Sequence, residues 1–566
     1  MAEEDTTTPV ITLYFTRLKK LLRKELAKDS ILEWLPYLGL DLEEITGEYA
    51  RVEYNPNRPD FSTDYGIARA LNGLVGLEKG APKYKVKKGP VQIIPDPSVK
   101  GVRPYIVGAV VRNLRLDDET LRQIISMQED LHNGIGRRRR KVAIGLHNLD
   151  VISPPITYGT VRSDFEFAPL EHDSPLSILG ILRDTEPGRH YSPILQGFDR
   201  YPLLRDLNGN VLSFPPIING ELTRVTPSTR NLFIDITGTE MKAVEDVLSI
   251  LSAAFQDIGG DLEAVEIVYG RKLIRTPNLT PTKMSLDLNY ANKLLGLDLS
   301  NRKAVECLAK SRMSAIPQKD RIDVLIPPYR TDILHEVDLV EEIAIGFGLQ
   351  RIQPTMPSSH SIGSFNKLIG QLDVVRDTMV SLGFIEVMNF SLLSKRLLRD
   401  TKVHVDETFL SVENPKTAEH ETLRPKLLPS LLGVLSRNIH EEYPQRIFEI
   451  GKVFASDNGK IAVDETFHLG VSIAHSQTNY SEVKSYLTSF LSQAFGIESS
   501  TVANADAMFI EGRAAEIRAR ERAIGIIGEI SPSVLENFGL RTLVSAYEVD
   551  LKQILTWKDL MFRSFS

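Results

Sequence analysis

Between Tyr105 and about Tyr269 the chain is a succession of short apolar runs broken by turns: YIVGAVVRNL, KVAIGLHNL, VLSFPPIING and RNLFIDITG. Runs of this length, rich in Val, Ile and Phe and bounded by Gly, Pro and Asn, read as strands. One amphipathic stretch with helical spacing, ETLRQIISMQEDLHNGI, interrupts them. Strands mixed with a helix predict an α+β domain. The pattern cannot extend over one core, because 566 residues exceed the usual domain size and imply about three to five domains.

Four segments follow from composition and punctuation. Residues 1–95 open with the strand-like VITLYF and a basic amphipathic stretch, Arg17–Asp29, whose reading is a solvated helix face or a nucleic-acid or membrane contact. Proline-rich turns then lead into a helix with Ile67, Leu71, Leu74 and Val75 at helical spacing. Residues 81–100, rich in Pro and Lys, suggest a boundary, so the strand-rich segment is expected over 96–272. A compact α/β pattern containing the strand RIDVLIPPYR occupies 273–357. The remainder, 358–566, alternates helices with the strand-like MNFSLLS, RIFEIGKVF, TFHLGVSIA, AIGIIGEI and SAYEVDL, which suits a largely antiparallel sheet.

Several classes are excluded or disfavoured. The single cysteine, Cys307, rules out a disulfide framework, and its reading is a small buried hydrophobe. A net charge of −7 gives no global signal for nucleic acid, which would need a local basic patch. The N-terminus lacks a signal peptide's basic and apolar regions, and no apolar run approaches the ~20 residues that span a bilayer. A cytoplasmic protein without a membrane partner is expected. P-loop, zincin and hydrolase-elbow motifs are missing.

Three motifs could carry chemistry. In YRTDILHEVDLVEEIAIGFG, Asp338, Glu341 and Glu342 fall at i, i+3 and i+4, with Asp332 just upstream. Such carboxylates repel unless solvated, protonated, paired with Arg or bound to a hard cation. Acidic residues suiting a helix N-terminus are the plainer reading. The run Arg137–Lys141, RRRRK, is either a solvated or acid-paired surface or a contact to a phosphate backbone. In NLFIDITGTE, Asp235 and Thr237 share one side of a strand, with Ser213 and Asn219 nearby in SFPPIIN. A carboxylate and a hydroxyl there could bind a substrate OH or form a strand's polar face.

Together, NRPDFSTDYGIARAL, IGRRRRKVAIGLHNLD, SFPPIIN with NLFIDITGTE, IPPYRTDILHEVDLVEEIAIGFG, ENPKTAEHETLRPKLLPSLLGVLSRN, RIFEIGKVF and IGIIGEISPSVLENFGL resemble phenylalanine–tRNA ligase β subunits of the short archaeal and eukaryotic type. The resemblance spans essentially the whole chain. It implies a multidomain α+β protein: a mixed α/β editing domain, a small winged-helix-like domain, and a class-II-synthetase-like antiparallel sheet without catalytic motifs. The implied assembly is an (αβ)₂ heterotetramer acting on tRNA(Phe), in which the α subunit attaches phenylalanine using ATP. The implied activity of this chain is hydrolysis of mischarged tyrosyl-tRNA(Phe), because a phenylalanine pocket rejects an added hydroxyl only weakly. Carried over by motif, the editing pocket is Asp235, Thr237 and Ser213, with Leu203 or Leu204 as an apolar wall. HNLD stands where the family has HDLD, so His147 and Asn148 are left outside the catalytic set. The resemblance also implies Mg²⁺, shared with the α subunit, on Asp332, Asp338, Glu341 and Glu342. A stand-alone tRNA-binding or trans-editing protein and a non-catalytic scaffold are the rival readings.

Overall fold

The structure, a computed structural model, describes residues 8–24, 26–319, 321–357, 362–403, 409–456 and 463–556. The acidic leader at 1–7 and the junction at 358–361 lie outside the described residues. The chain divides into two compact units, Met1–Met356 and Pro357–Ser566. Each is mixed α/β, and several separate sheets are present.

The first unit is organised by a ten-stranded sheet. Along it lie Ile218–Asn219, Val211–Phe214, Tyr201–Arg205, Ile156–Val161, Val86–Pro95, Asp261–Tyr269, Tyr105–Arg112, Leu232–Gly238 and Val142–Asn148. Lys272–Thr276 pairs beside Asp261–Tyr269. The pairings are antiparallel except the two made by Val86–Pro95. The helices Asp118–Asn133 and Met241–Asp257 bury Ile124, Met127, Leu131, Val244, Val247 and Leu251 in the same core. Leu232–Gly238 is buried at every residue, which is why it reads as a nearly unbroken apolar run and why a single Asp within it stands out.

Two of the expected boundaries fall at strands of this sheet. The Pro- and Lys-rich stretch at 81–100 contains Val86–Pro95, a strand between two partners inside the sheet. A cut at 95/96 would sever its backbone hydrogen bonds, and a cut at 272/273 would split the strand Lys272–Thr276. The sheet therefore runs from Val86 to Thr276. Proline is tolerated in Val86–Pro95 at Pro90 and at the strand's last residue, Pro95.

Two smaller sheets complete this unit. Near the N-terminus, Val10–Tyr14, Tyr49–Tyr54 and Leu40–Ile45 form an antiparallel sheet. The basic stretch Arg17–Asp29 is not one helix: Phe15–Leu21 ends before a second helix begins at Lys28. Its Arg17 is tied to Asp64 at 2.9 Å and to Thr120 at 2.9 Å. The third sheet pairs Thr282–Asp287 with Arg321–Ile326 and Ser314–Pro317. Helices Leu288–Leu295, Asn301–Lys310 and Glu336–Phe347 cover it. Cys307 is buried in that core.

The second unit is a seven-stranded sheet ordered Ile385–Glu386, Gln445–Ser456, Val463–Ala474, Val544–Asp550, Arg522–Ile530, Phe509–Ala519 and Ser500–Ala503. It is antiparallel except at the Ile385 edge. Lys367–Ser381 and Tyr480–Phe495 pack into one core, Leu428–Arg437 and Pro532–Asn537 into a second. Of the expected MNFSLLS strand only Leu392–Leu393 is extended and paired.

Candidate functional site

Asp235 sits mid-strand, opposite Gly108 on one side and Gly145 on the other. It is 1% exposed, and a carboxylate so placed requires a hydrogen-bonding partner. His147, two residues along from Gly145 and therefore on the same face, supplies it: Nε2 lies 2.7 Å from Asp235 Oδ2. Such diagonal neighbours across a strand pair are within reach of an imidazole. A Cβ on Gly145 would collide with both the Asp235 carboxylate and His147 Nε2, so glycine makes the room for this pair. The other ring nitrogen, Nδ1, is 2.8 Å from Thr223 Oγ1. A carboxylate can only accept, which puts a proton on Nε2, while Nδ1 meets a Thr223 hydroxyl that also reaches the Gly220 carbonyl at 3.4 Å.

These groups meet a cleft of about 740 Å³ lined by Asp235, Ser213, Asn219, Thr223, Arg139 and Glu129 among others. Among the described residues, neither Asp235 Oδ1 nor Ser213 Oγ has a protein hydrogen-bond partner. Both are available to a polar group entering the cleft. At the far wall, Arg139 Nη2 donates to Glu129 Oε1 at 2.9 Å and Nη1 to the Ile217 carbonyl at 3.0 Å. The Ile144 N–H donates to His132 Nε2 at 2.9 Å, so His132 Nδ1 carries the proton shared with Glu129 Oε1, 3.1 Å away. Burial opposes ionisation of Glu129, yet His132 and Arg139 outweigh it and hold the carboxyl at about 2. Burial pushes His132 below its ordinary value.

Two expected pocket residues fall elsewhere. Thr237 lies on the Asp235 strand, but its Oγ1 accepts from Arg103 Nε at 2.9 Å and its carbonyl from Arg103 Nη2 at 2.9 Å. It is wholly buried and does not line the cleft. Burial lowers the Arg103 guanidinium to about 10, with Tyr158 and Asp235 opposing the shift, so it stays charged at neutral pH. Thr237 thus anchors a buried cation. Leu203 packs with Phe214 and Ile217 in a side cluster, and Leu204 in the main core; neither lines the cleft. Apolar packing covers both sides of their strand, and this places them away from the polar floor. His147, left out by sequence reasoning, is the partner of Asp235, and Thr223, Glu129, His132 and Arg139 were also not foreseen at the cleft. Only the GLHNL strand pattern signalled His147, since its partner is 88 residues away in sequence.

The acidic helix Glu336–Phe347 is arranged differently from a cation cage. Arg330 Nε donates to Asp332 Oδ1 at 2.8 Å and Nη2 to Asp332 Oδ2 at 2.7 Å. The same Nη2 bonds Glu342 Oε1. Asp338 Oδ2 accepts the N–H groups of Leu334 and His335, at 2.7 Å each, and so caps the helix. Glu341 is exposed. Among the described residues no three acidic, His or Cys side chains converge as a metal site would require. With Asp332 and Glu342 both hydrogen-bonded to one guanidinium and Asp338 bound to backbone, Asp332, Asp338, Glu341 and Glu342 as they stand do not converge into a site for a hard cation.

Two family models match. The tRNA synthetase B5 domain matches residues 284–349, and the phenylalanyl-tRNA synthetase β chain CLM domain matches 352–551. The phenylalanine–tRNA ligase β subunit of Archaeoglobus fulgidus is 40% identical over 556 residues, covering 98% of this chain and 100% of that one. That of Methanococcoides burtonii is 37% identical, covering 96% and 100%. A crystal structure of an N-terminal fragment of the phenylalanyl-tRNA synthetase β-subunit from Pyrococcus horikoshii gives a TM-score of 0.58 at 37% identity, covering 60% of this chain and 99% of the fragment. The chain belongs to the phenylalanine–tRNA ligase β-subunit family.

Within this β-subunit family member, the B5 match coincides with the three-stranded module and its acidic helix. The CLM match takes in the seven-stranded sheet. Among the described residues no helix is long and apolar enough to cross a membrane.

Proposed function

We propose that this chain is the β subunit of a phenylalanine–tRNA ligase and that its cleft hydrolyses tyrosyl-tRNA(Phe). The observation that carries the hydrolytic reading is the Asp235 carboxylate, held by His147 and left with Oδ1 open toward the cleft. A site built to hydrogen-bond a substrate OH rejects an analogue lacking it far better than an apolar pocket rejects an added OH, by ~10⁴-fold or more. The open Asp235 oxygen and the Ser213 hydroxyl offer that bond to a tyrosine phenol. Phenylalanine, unable to make it, would leave both unpaired.

His147 is a positioning residue here, because both ring nitrogens are engaged and neither faces a water as a base. Glu129 is held ionised at so low a value that it is a weak base. No general base is assigned. The family reading supplies the rest: an α partner that joins phenylalanine to tRNA(Phe) with ATP, an (αβ)₂ assembly, and a cytoplasmic setting. In this scheme 86–276 is the editing domain, 273–357 without its first strand residues the winged-helix-like module, and 358–566 a class-II-like sheet serving assembly. Arg330, in place of magnesium, pairs with Asp332 and Glu342 beside the acidic helix.

The test is deacylation of tyrosyl-tRNA(Phe) by the complete complex. Asp235→Ala should leave phenylalanylation intact and slow tyrosyl-tRNA(Phe) hydrolysis, while raising hydrolysis of phenylalanyl-tRNA(Phe) relative to it. Unchanged clearance of tyrosine in that variant would refute the pocket and favour the scaffold reading. A stable, active protein without an α partner would refute the subunit reading.

A further inference from the structure

The run RRRRK folds into an uncommon turn that divides its cations between two places. Arg137, Arg138 and Arg139 have φ of 48°, 55° and 62°. Left-handed backbone is disfavoured for residues bearing a Cβ, and three in succession persist only where the surroundings hold them. Here the Arg137 N–H bonds the Gly134 carbonyl at 3.1 Å, the Arg139 N–H that of His132 at 3.1 Å, and the Lys141 N–H that of Gly136 at 2.8 Å. Arg103 Nη1 adds a bond to the Arg140 carbonyl at 3.3 Å. The turn is therefore fixed on the helix end that carries His132 of the cleft and on the buried Arg103.

Its outcome is a sorting of side chains. Arg139 turns inward to the cleft wall, between Glu129 and the Ile217 carbonyl and over the Tyr191 ring at 4.3 Å. Arg137, Arg138, Arg140 and Lys141 instead line a separate open hollow of about 830 Å³ with Asn133, Thr239 and Glu240. Among the described residues that line the hollow, Glu240 is the one carboxylate, and it is committed to Lys141 at 2.6 Å. Among the described residues the guanidinium groups of Arg137 and Arg140 have no partner. A plain solvated surface does not require strained backbone to place it. The concentration of positive charge also stands against a chain of net charge −7. Among the described residues no aromatic side chain lines the hollow, so it suits phosphates and not stacked bases.

We propose that this turn is a docking site for the phosphodiester backbone of an RNA strand, with Arg137 and Arg140 as its principal contacts. Consecutive Cα atoms are about 3.8 Å apart, so Arg139 in the cleft wall and its neighbours in the hollow hold adjacent parts of one ligand. The proposal rests on the hydrolytic reading above: the acyl ester occupies the Asp235 cleft while the phosphates behind it meet the outward arginines.

The experiment compares the complete complex with its Arg137→Gln/Arg140→Gln double variant on two substrates, tyrosyl-tRNA(Phe) and tyrosyl-adenosine, which lacks the phosphates. Binding of uncharged tRNA(Phe) is titrated against salt in parallel. Two lost contacts to a single strand should flatten the slope of log K against log salt by about 1.4. The Kd at about 0.1 M salt should rise on the order of tenfold or more and converge with wild type toward 1 M. KM for tyrosyl-tRNA(Phe) should rise in step, with kcat and tyrosyl-adenosine hydrolysis unchanged. Arg137→Lys/Arg140→Lys, which keeps the charge, should restore most of the binding. An unchanged Kd and salt slope would overturn the docking site, as would equal loss of tyrosyl-adenosine hydrolysis, which would show that the turn acts only by shaping the cleft. Failure of wild type to hydrolyse either ester would remove the hydrolytic reading, and the binding titration would still decide the docking site.

Discussion

His147 Nε2 and Asp235 Oδ2 lie 2.7 Å apart with both side chains almost wholly withdrawn from solvent. A hydrogen bond to a charged group contributes about 1.5–3 kcal/mol, and truncating one partner strands the other. His147→Ala and Asp235→Ala should each lower the unfolding free energy of the first unit by roughly that amount. The double variant should cost much less than the two summed, because the second truncation removes a group already stranded. Additive losses in denaturant titrations would show that the pair is not coupled.

Gly145, on the strand of His147 and opposite Asp235, tests the same pair without substituting either side chain. An added methyl would press on the Asp235 carboxylate and the imidazole, and overpacking of this kind costs about 1–3 kcal/mol. Gly145→Ala should therefore reduce tyrosyl-tRNA(Phe) hydrolysis at least as much as Asp235→Ala does, with phenylalanylation retained. Full hydrolysis in Gly145→Ala, measured with the complete complex, would mean the carboxylate need not sit where it does.

What could be read in advance follows the range of the interactions concerned. Asp235 is visible in sequence because it breaks an apolar run, and Ser213 because turn residues follow it. The helix Asp118–Asn133 shows in its apolar spacing. His147 could not be chosen over other polar strand residues, since its partners Asp235 and Thr223 are brought in by strand pairing and a distant loop. Thr237 shares the side of Asp235 by alternation, yet Arg103, 134 residues earlier, takes its hydroxyl away from the cleft. Val86–Pro95 was hidden by its lysines and prolines, because strand identity there comes from two parallel neighbours.

Acid should destabilise the cleft in two stages. The fold keeps His132 neutral to a lower pH than its ordinary 6.5, so its contribution is complete above that value and is lost as the pH falls through the folded value. Glu129 is shifted from 4.5 to about 2 despite the opposing effect of burial. Its contribution is complete above about 4.5 and disappears between there and about 2. Melting temperatures followed from pH 7 downward should show both losses. Glu129→Gln should remove the lower stage, and an unaltered acid limb in that variant would contradict the assignment.

Arg330 offers the clearest decision between an arginine and a metal at the acidic helix. It is 5% exposed and bonds both Asp332 and Glu342. Removing one side of a buried ion pair costs about 3–5 kcal/mol, because the remaining charges are uncompensated. Arg330→Met should accordingly lower the first melting transition by several degrees, whereas chelating divalent cations should leave wild type unchanged. Stripped of the guanidinium, Asp332 and Glu342 become two oxygen ligands of net negative charge, which a hard cation can screen. Added Mg²⁺ should then recover part of the loss in Arg330→Met and none in Arg330→Met/Glu342→Gln. A wild-type melting temperature that falls on chelation would instead show that the carboxylates hold a cation with Arg330 in place.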